Sequence, residues 1–178
     1  MGTFDFWIVK LDSIGSILWQ NTIGGSANDS LYAIQQTIDG QFILGGFSNS
    51  NISGDKSENN LSDILFCDFW VVKTDSFGNI LWQNTIGGDL YDFIYAVEAS
   101  SDGGCLVGGR STSDISSDKS EDNIAHWDYW IVKLTEKYNL IEGKIFVDLN
   151  SNGIQDSGEL PMPRRKLIDQ KYKPFCFQ

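Results

Sequence analysis

The chain copies itself. DFWIVKLDSIGSILWQNTIGG (5–25) returns as DFWVVKTDSFGNILWQNTIGG (68–88), and DYWIVKL opens a third copy at Asp128. The register holds further on: Asp29 matches Asp92, Tyr32 matches Tyr95, Ala33 matches Ala96, and Gly45-Gly46 matches Gly108-Gly109. GDKSENN (54–60) likewise matches SDKSEDN (117–123). A period of about 60 residues constrains the fold more than any composition does, because each repeat must be one supersecondary unit and equivalent residues must occupy equivalent places.

Each repeat reads as four short strands. FWIVKL is apolar on both faces, with Trp7, Val9 and Leu11 on one and Phe6 and Ile8 on the other, so it is expected to be covered on both sides. SIGS and SFGN are turns. ILWQNTI alternates, Ile17, Trp19 and Ile23 against Gln20 and Thr22, as a more exposed strand does. SLYAIQQT leads through an Asp-Gly turn into FILGGF, whose glycine pair marks a bend or a close backbone approach. The polar, acidic loop of about 20 residues that follows is long for a compact domain and is expected to be mobile. The fold class is therefore all-β: four-stranded antiparallel propeller-type blades, two plus a partial third, over residues 1–134, with repeats starting near Asp5, Asp68 and Asp128. A blade has two apolar faces and buries them only against neighbours. The order of Gly-Gly, long loop, aromatic strand, turn and Trp resembles the kelch blade. By that analogy LYAIQQT is the innermost strand, a complete blade runs over 29–86, and the chain begins in mid-blade.

The repeats, DFWIVKLDSIGSILWQ and YAIQQTIDGQFILGG with their second copies, resemble the β-propeller-like repeats of large secreted or surface proteins of the Bacteroidetes, many of them exported by type IX secretion. The resemblance implies an extracellular or cell-surface place and a binding or scaffold role, and it implies no particular activity.

A different signal follows the repeats. DLNSNGIQDSGE (148–159) fits the twelve-residue calcium loop, with Asp148, Asn150, Asn152, Gly153, Asp156 and Glu159 at positions 1, 3, 5, 6, 9 and 12. Calcium takes six to eight hard oxygens, so carboxylates and amides must converge from alternate residues. Gly153 permits the sharp turn, Ile154 offers its backbone carbonyl, and Glu159 closes the site bidentately. Two neutral Asn ligands point to weak binding, in the ~10⁻⁴–10⁻³ M range of extracellular modules. The strand-like GKIFV before the loop excludes a helical EF-hand. IEGKIFVDLNSNGIQDSGELPMP instead resembles the opening of the SdrD B-like domains of bacterial adhesins, which are Ig-like β-modules. In that family the loop links two strands, which carries the calcium ligands onto Asp148, Asn150, Asn152, Asp156 and Glu159. The expected organisation is then a linker at 135–142, a truncated SdrD B-like segment at 143–169 and a tail at 170–178. The family's glycine and apolar strand are replaced after Pro163 by RRKLID.

Charge narrows the partners. The 178 residues carry a net charge of −11, and residues from 160 onward hold five Lys/Arg against one Asp, so the acidity lies in the repeats and the calcium loop. An acidic body argues against nucleic acid. The apolar runs are too short to insert in a membrane, and no signal peptide is visible. Cys67, Cys105 and Cys176 form no spaced pair, and Cys105 is expected to be a small buried apolar residue. The lone histidine, His126, has no catalytic company, and no Ser lies in a nucleophile motif. Asp29, Asp92, Asp55 and Asp118 read as turn-formers that satisfy backbone amides, with the lining of cation sites as the alternative. Trp7, Trp70 and Trp130 share one repeat position and Trp19 and Trp82 another, so they read as core rather than as a sugar platform. The expected function is that of a non-enzymatic secreted or surface protein: a propeller scaffold with a calcium-stabilised β-module, binding a protein or glycan and joined by the remaining blades of a larger parent. A fragment of a propeller-based glycan-active enzyme, or a partial product with no function of its own, are the alternatives.

Overall fold

The computed structural model describes residues 4–63 and 65–135, all within the compact unit Met1–Glu136. The residues expected to hold calcium, and the segments 143–169 and 170–178, lie outside the described residues.

Every regular element described is a β-strand: β1 (Phe6–Leu11), β2 (Ile17–Ile23), β3 (Asp29–Gln36), β4 (Phe42–Ser48), β5 (Asp68–Thr74), β6 (Ile80–Ile86), β7 (Asp92–Ala99), β8 (Cys105–Ser111) and β9 (Asp128–Leu134). All pairings are antiparallel between neighbours in the chain, and they make three sheets: β1-β2, β3-β4-β5-β6 and β7-β8-β9. The sheets are offset from the sequence repeat. The four-stranded sheet spans residues 29–86, the range expected for a complete unit, whereas the repeat counted from Asp5 is divided between two sheets.

The middle sheet is covered on both faces. Toward β1-β2 it presents Leu44, Trp70 and Val72, which pack on Phe6, Ile8 and Ile23. Toward β7-β8-β9 it presents Ile43, Phe69, Val71 and Ile86, which pack on Ile94, Cys105 and Val107. All seven residues of β5 are buried in consequence. One contact recurs at both interfaces: the Phe6 ring lies 4.8 Å from Trp70, and the Phe69 ring lies 5.1 Å from Trp130. Burying Phe6, Phe69 and Trp70 fully contributes about 3 kcal/mol of transfer free energy each, and the partly buried Trp130 less.

Sheet faces with no neighbour among the described residues break the sequence expectation. Trp7, expected in the core, is 66% exposed, although its equivalent Trp70 is fully buried. On the opposite face Tyr129 is 97% exposed and Ile131 lies open beside it, where the equivalents Phe69 and Val71 are buried. The residue types are the same; what differs is the surroundings, since β5 lies between β4 and β6 with a sheet on each face, while β1 and β9 are edge strands with one face open among the described residues.

Two irregularities repeat as faithfully as the sequence does. The register of β3 on β4 shifts between Leu31 and Ala33, and that of β7 on β8 between Ile94 and Ala96, leaving Tyr32 and Tyr95 as extra, unpaired residues. These are β-bulges, which re-aim a side chain. They explain the second glycine of each pair. A Cβ on Gly46 would stand 2.0 Å from the Ser30 carbonyl oxygen, and one on Gly109 would stand 1.9 Å from that of Phe93. The expected close backbone approach is thus the approach of the bulged strand.

Candidate functional site

The long β4–β5 and β8–β9 loops are not the loose segments that their composition suggests; that expectation is overturned. The Asp55 amide donates to the Gly24 carbonyl (2.9 Å), while the Gly24 amide donates back to Asp55 Oδ2 (3.2 Å). The Ser26 amide donates to Ser53 Oγ (2.8 Å) and the Ala27 amide to Ser50 Oγ (2.9 Å). Sixty-three residues on, Asp118 and Gly87 exchange the same two bonds, and Ser116 and Ser113 accept from the Asp89 and Leu90 amides (3.0 Å each). Each loop thereby latches onto the Gly-Gly segment between one sheet and the next. The fit is tight, since a Cβ on Gly25 would stand 2.5 Å from Ser50 and one on Gly88 would stand 2.3 Å from Ser113. The physical reason is that serines and aspartates, which read as solvated loop, here accept from backbone amides that have no strand partner.

Behind the latch lie buried charges. Asp29 accepts from the Gly25 amide (2.7 Å) and from Ser50 Oγ (3.0 Å), and Asp92 does the same with Gly88 (2.8 Å) and Ser113 (3.2 Å). The amide-satisfying role read from the sequence for Asp29, Asp92, Asp55 and Asp118 is what the geometry shows. Asp29, Ser48 and Asp68 form one row across the middle sheet. Asp29, Asp68 and Asp92 are fully buried, and Oδ1 of each has no hydrogen-bond partner among the described residues. Burial pushes the Asp68 carboxyl up to about 6 against the pull of the Leu61 and Ser62 amides, and it raises Asp92 as well. Lys56, buried in the loop, has its ammonium 5.5 Å from the Trp70 ring and bonds Thr85 Oγ1. Burial lowers it to about 8, opposed by the charges of Asp29 and Asp68. Among the described residues no group of three or more His, Cys, Asp or Glu is arranged to hold a metal ion. The two described cysteines are buried, and their thiols are raised by burial to about 12 (Cys67) and about 11 (Cys105), which leaves them inert.

The second concentration of chemistry is aromatic. The bulged tyrosines Tyr32 and Tyr95 meet edge to face (5.8 Å), and Tyr32 lies 5.5 Å from Phe47. Phe47 meets Phe93 (4.7 Å), Phe93 stacks on Tyr91 (5.8 Å), and Trp127 closes the group at 5.7 Å from Phe93. His126 stands edge-on to Trp127 (5.6 Å). The guanidinium carbon of Arg110 sits 4.1 Å from the Trp127 ring centre, 5.3 Å from Phe93 and 5.5 Å from Tyr95. Reading the sequence for repeat agreement passed over this group, because four of its members, Tyr91, Phe93, Arg110 and Trp127, are where the repeats disagree. Arg110 stands where the first repeat has Phe47, Phe93 where it has Ser30, Tyr91 where it has Asn28, and Trp127 where it has Cys67. The signal was available: Trp127 alone among the six tryptophans has no repeat counterpart.

Comparison with known families gives no match. Over 168 residues the chain is 26% identical to the regulatory protein FlaEY of Caulobacter vibrioides, an alignment that takes in 86% of this chain and 18% of that protein. The chain thus spans less than a fifth of the length of the curated relative that it resembles.

Proposed function

We propose that the chain is a non-enzymatic binding and structural segment of a secreted or cell-surface protein, in which propeller-type blades carry the ligand and a calcium-stabilised Ig-like module follows them. The observation that supports this reading most is the recurring sheet-on-sheet contact, Phe6 on Trp70 and then Phe69 on Trp130, locked each time by the same loop latch. In this reading further blades of the same kind cover the Trp7 and Tyr129 faces. The regulatory role in the name of the similar protein belongs to a far longer chain and is not carried over.

The calcium half is carried by the spacing of Asp148, Asn150, Asn152, Ile154, Asp156 and Glu159. Calcium titration of the full chain, followed by thermal unfolding and amide NMR of residues 145–160, tests it. In roughly tenfold excess over Kd calcium adds about 1.4 kcal/mol to the module's stability. Glu159→Ala abolishes the response, Asp29→Ala leaves it, and magnesium substitutes poorly. No response of Gly153 at about 10 mM calcium, well above the extracellular-module range, refutes the assignment.

A further inference from the structure

We propose that the two open sheet faces of the chain are the two halves of one interface, and that copies of the chain stack head to tail through it. The proposal rests on the reading that a further blade covers each open face, and it names a second copy of this chain as the source of that blade.

The interface already occurs twice within the chain. Strands β1, β5 and β9 are equivalent, and each carries a phenylalanine-type face and a tryptophan face. Where sheets meet, the phenylalanine face of one packs on the tryptophan face of the next. Phe6 and Ile8 meet Trp70 and Val72 at the first contact. Phe69 and Val71 meet Trp130 and Val132 at the second. The sense of the pairing is the same both times.

The two faces left over are one of each kind. On β1-β2 the tryptophan face is open, with Trp7 66% exposed and Val9 half-buried beside it. On β7-β8-β9 the phenylalanine-type face is open, with Tyr129 97%, Ile131 67% and Leu106 44% exposed. Leu106, Tyr129 and Ile131 stand where the middle sheet has Ile43, Phe69 and Val71, all three buried in the contact with a tryptophan face. A copy that sets its Trp7 face on the Tyr129 face of another therefore repeats a contact that the fold has built twice, whereas two like faces have no such precedent in the chain. Arg110 shares the row of Tyr129 and stands where the middle sheet has Phe47, which meets Phe93 on the first strand of the next sheet. β1-β2 has no strand of that kind, so the charge is left at the rim of the contact.

A contact between two different patches is heterologous. It uses one face of each copy and leaves the other free, so assembly continues past a dimer, into a ring if the rotation closes and into a filament if it does not. The contact is smaller than its internal counterparts, because the described part of the first sheet has two strands and that of the third has three. Separate copies also lose translational and rotational freedom that two sheets of one chain do not. Association is accordingly weak, with Kd on the order of 10–100 μM.

The test is sedimentation equilibrium of the full chain from about 5 to about 500 μM, which brackets that range, with the variants Trp7→Glu and Tyr129→Glu. Both side chains are exposed, so both variants are expected to keep the fold, which far-UV circular dichroism checks. Ile131→Glu blocks the same face as Tyr129→Glu and gives a second variant should the first disturb β9. The wild-type chain is expected to pass beyond a dimer as its concentration rises. Each new carboxylate lies inside the contact, so each variant alone is expected to associate at least about tenfold more weakly. Mixed in equal amounts, Trp7→Glu and Tyr129→Glu are expected to form a one-to-one dimer and nothing larger, since each keeps the face that the other has lost. A wild-type chain that stays monomeric at about 500 μM or stops at a dimer, a variant that associates as the wild type does, or a mixture that stays monomeric each overturns the proposal. Urea unfolding of Trp70→Ala at low concentration reads the internal contact alone; its destabilisation beside a monomeric wild type separates failure of this proposal from failure of the stacked-blade reading.

Discussion

Trp70 and Trp7 make a controlled experiment that the chain already contains. They occupy the same place in equivalent strands, opposite Thr85 and Thr22. Each donates its indole N–H to an equivalent glutamine, Trp70 to Gln83 (3.1 Å) and Trp7 to Gln20 (3.3 Å). What differs is what surrounds them: Trp70 has β4 beside it and Phe6 and Lys56 over it, whereas β1 pairs with β2 alone. Trp70→Ala removes a fully buried indole packed on Phe6 and under the Lys56 ammonium. Deleting such a side chain costs about 3–5 kcal/mol in lost transfer and cavity terms. The hydrogen bond adds little, because Gln83 Oε1 keeps the Ser57 amide (3.1 Å). Trp7→Ala removes a side chain with only a third of its surface covered, so it costs about 1 kcal/mol. Urea unfolding of the two variants, followed by far-UV circular dichroism, reads the difference. With a slope of about 2 kcal/mol per molar urea, the midpoint falls by about 2 M for Trp70→Ala and about 0.5 M for Trp7→Ala, at unchanged slope. Equal losses within about 1 kcal/mol, either both large or both small, refute the argument that burial between sheets, rather than the strand itself, sets the worth of this tryptophan.

Asp68 makes stability depend on pH. Its folded pKa of about 6 lies above its ordinary value of 3.8, so its contribution is fully present below about pH 4 and is lost as pH rises through 6, about 3 kcal/mol in all. Asp68→Asn is expected to flatten that part of the stability profile between pH 4 and 6.5, and an unchanged slope in chemical denaturation counts against it. The two glycines of β8 also separate cleanly: Gly109→Ala drives a Cβ onto the Phe93 carbonyl, whereas a Cβ on Gly108 meets nothing within 4 Å. Thermal unfolding should show Gly109→Ala losing at least about 2 kcal/mol and Gly108→Ala close to neutral or slightly stabilised; the reverse order sinks the account of the bulge.

The repeat made the strands legible, down to the 29–86 span of the one four-stranded sheet, because equivalent residues recur with strand periodicity. The second glycine of each pair, Gly46 and Gly109, was readable as a close approach, though not as the seat of a bulge, since a register shift depends on the partner strand. The latched loops were misread because Ser50, Ser53 and Asp55 look the same whether they bond water or the backbone of residues 24–27; only the fold brings those amides within reach. The Trp7 expectation failed for a related reason, as a strand cannot record whether a sheet lies beyond it. The patch around Arg110 was invisible to a search for agreement and stands out in a search for disagreement.

The latch also has a direction in time. Asp55 closes on Gly24 and Asp118 on Gly87, each across 31 residues and each toward chain that a ribosome has already made. No described latch waits for a later one. A growing chain can therefore fasten each loop as it emerges, with a short closure distance and a small entropic cost. Folding that tracks synthesis from the N-terminus keeps at most one apolar sheet face waiting at the growing end. Cutting such an array at its N-terminal side removes the anchor of the next loop, while cutting at the C-terminal side removes none, so truncations from the two ends should not be equally tolerated.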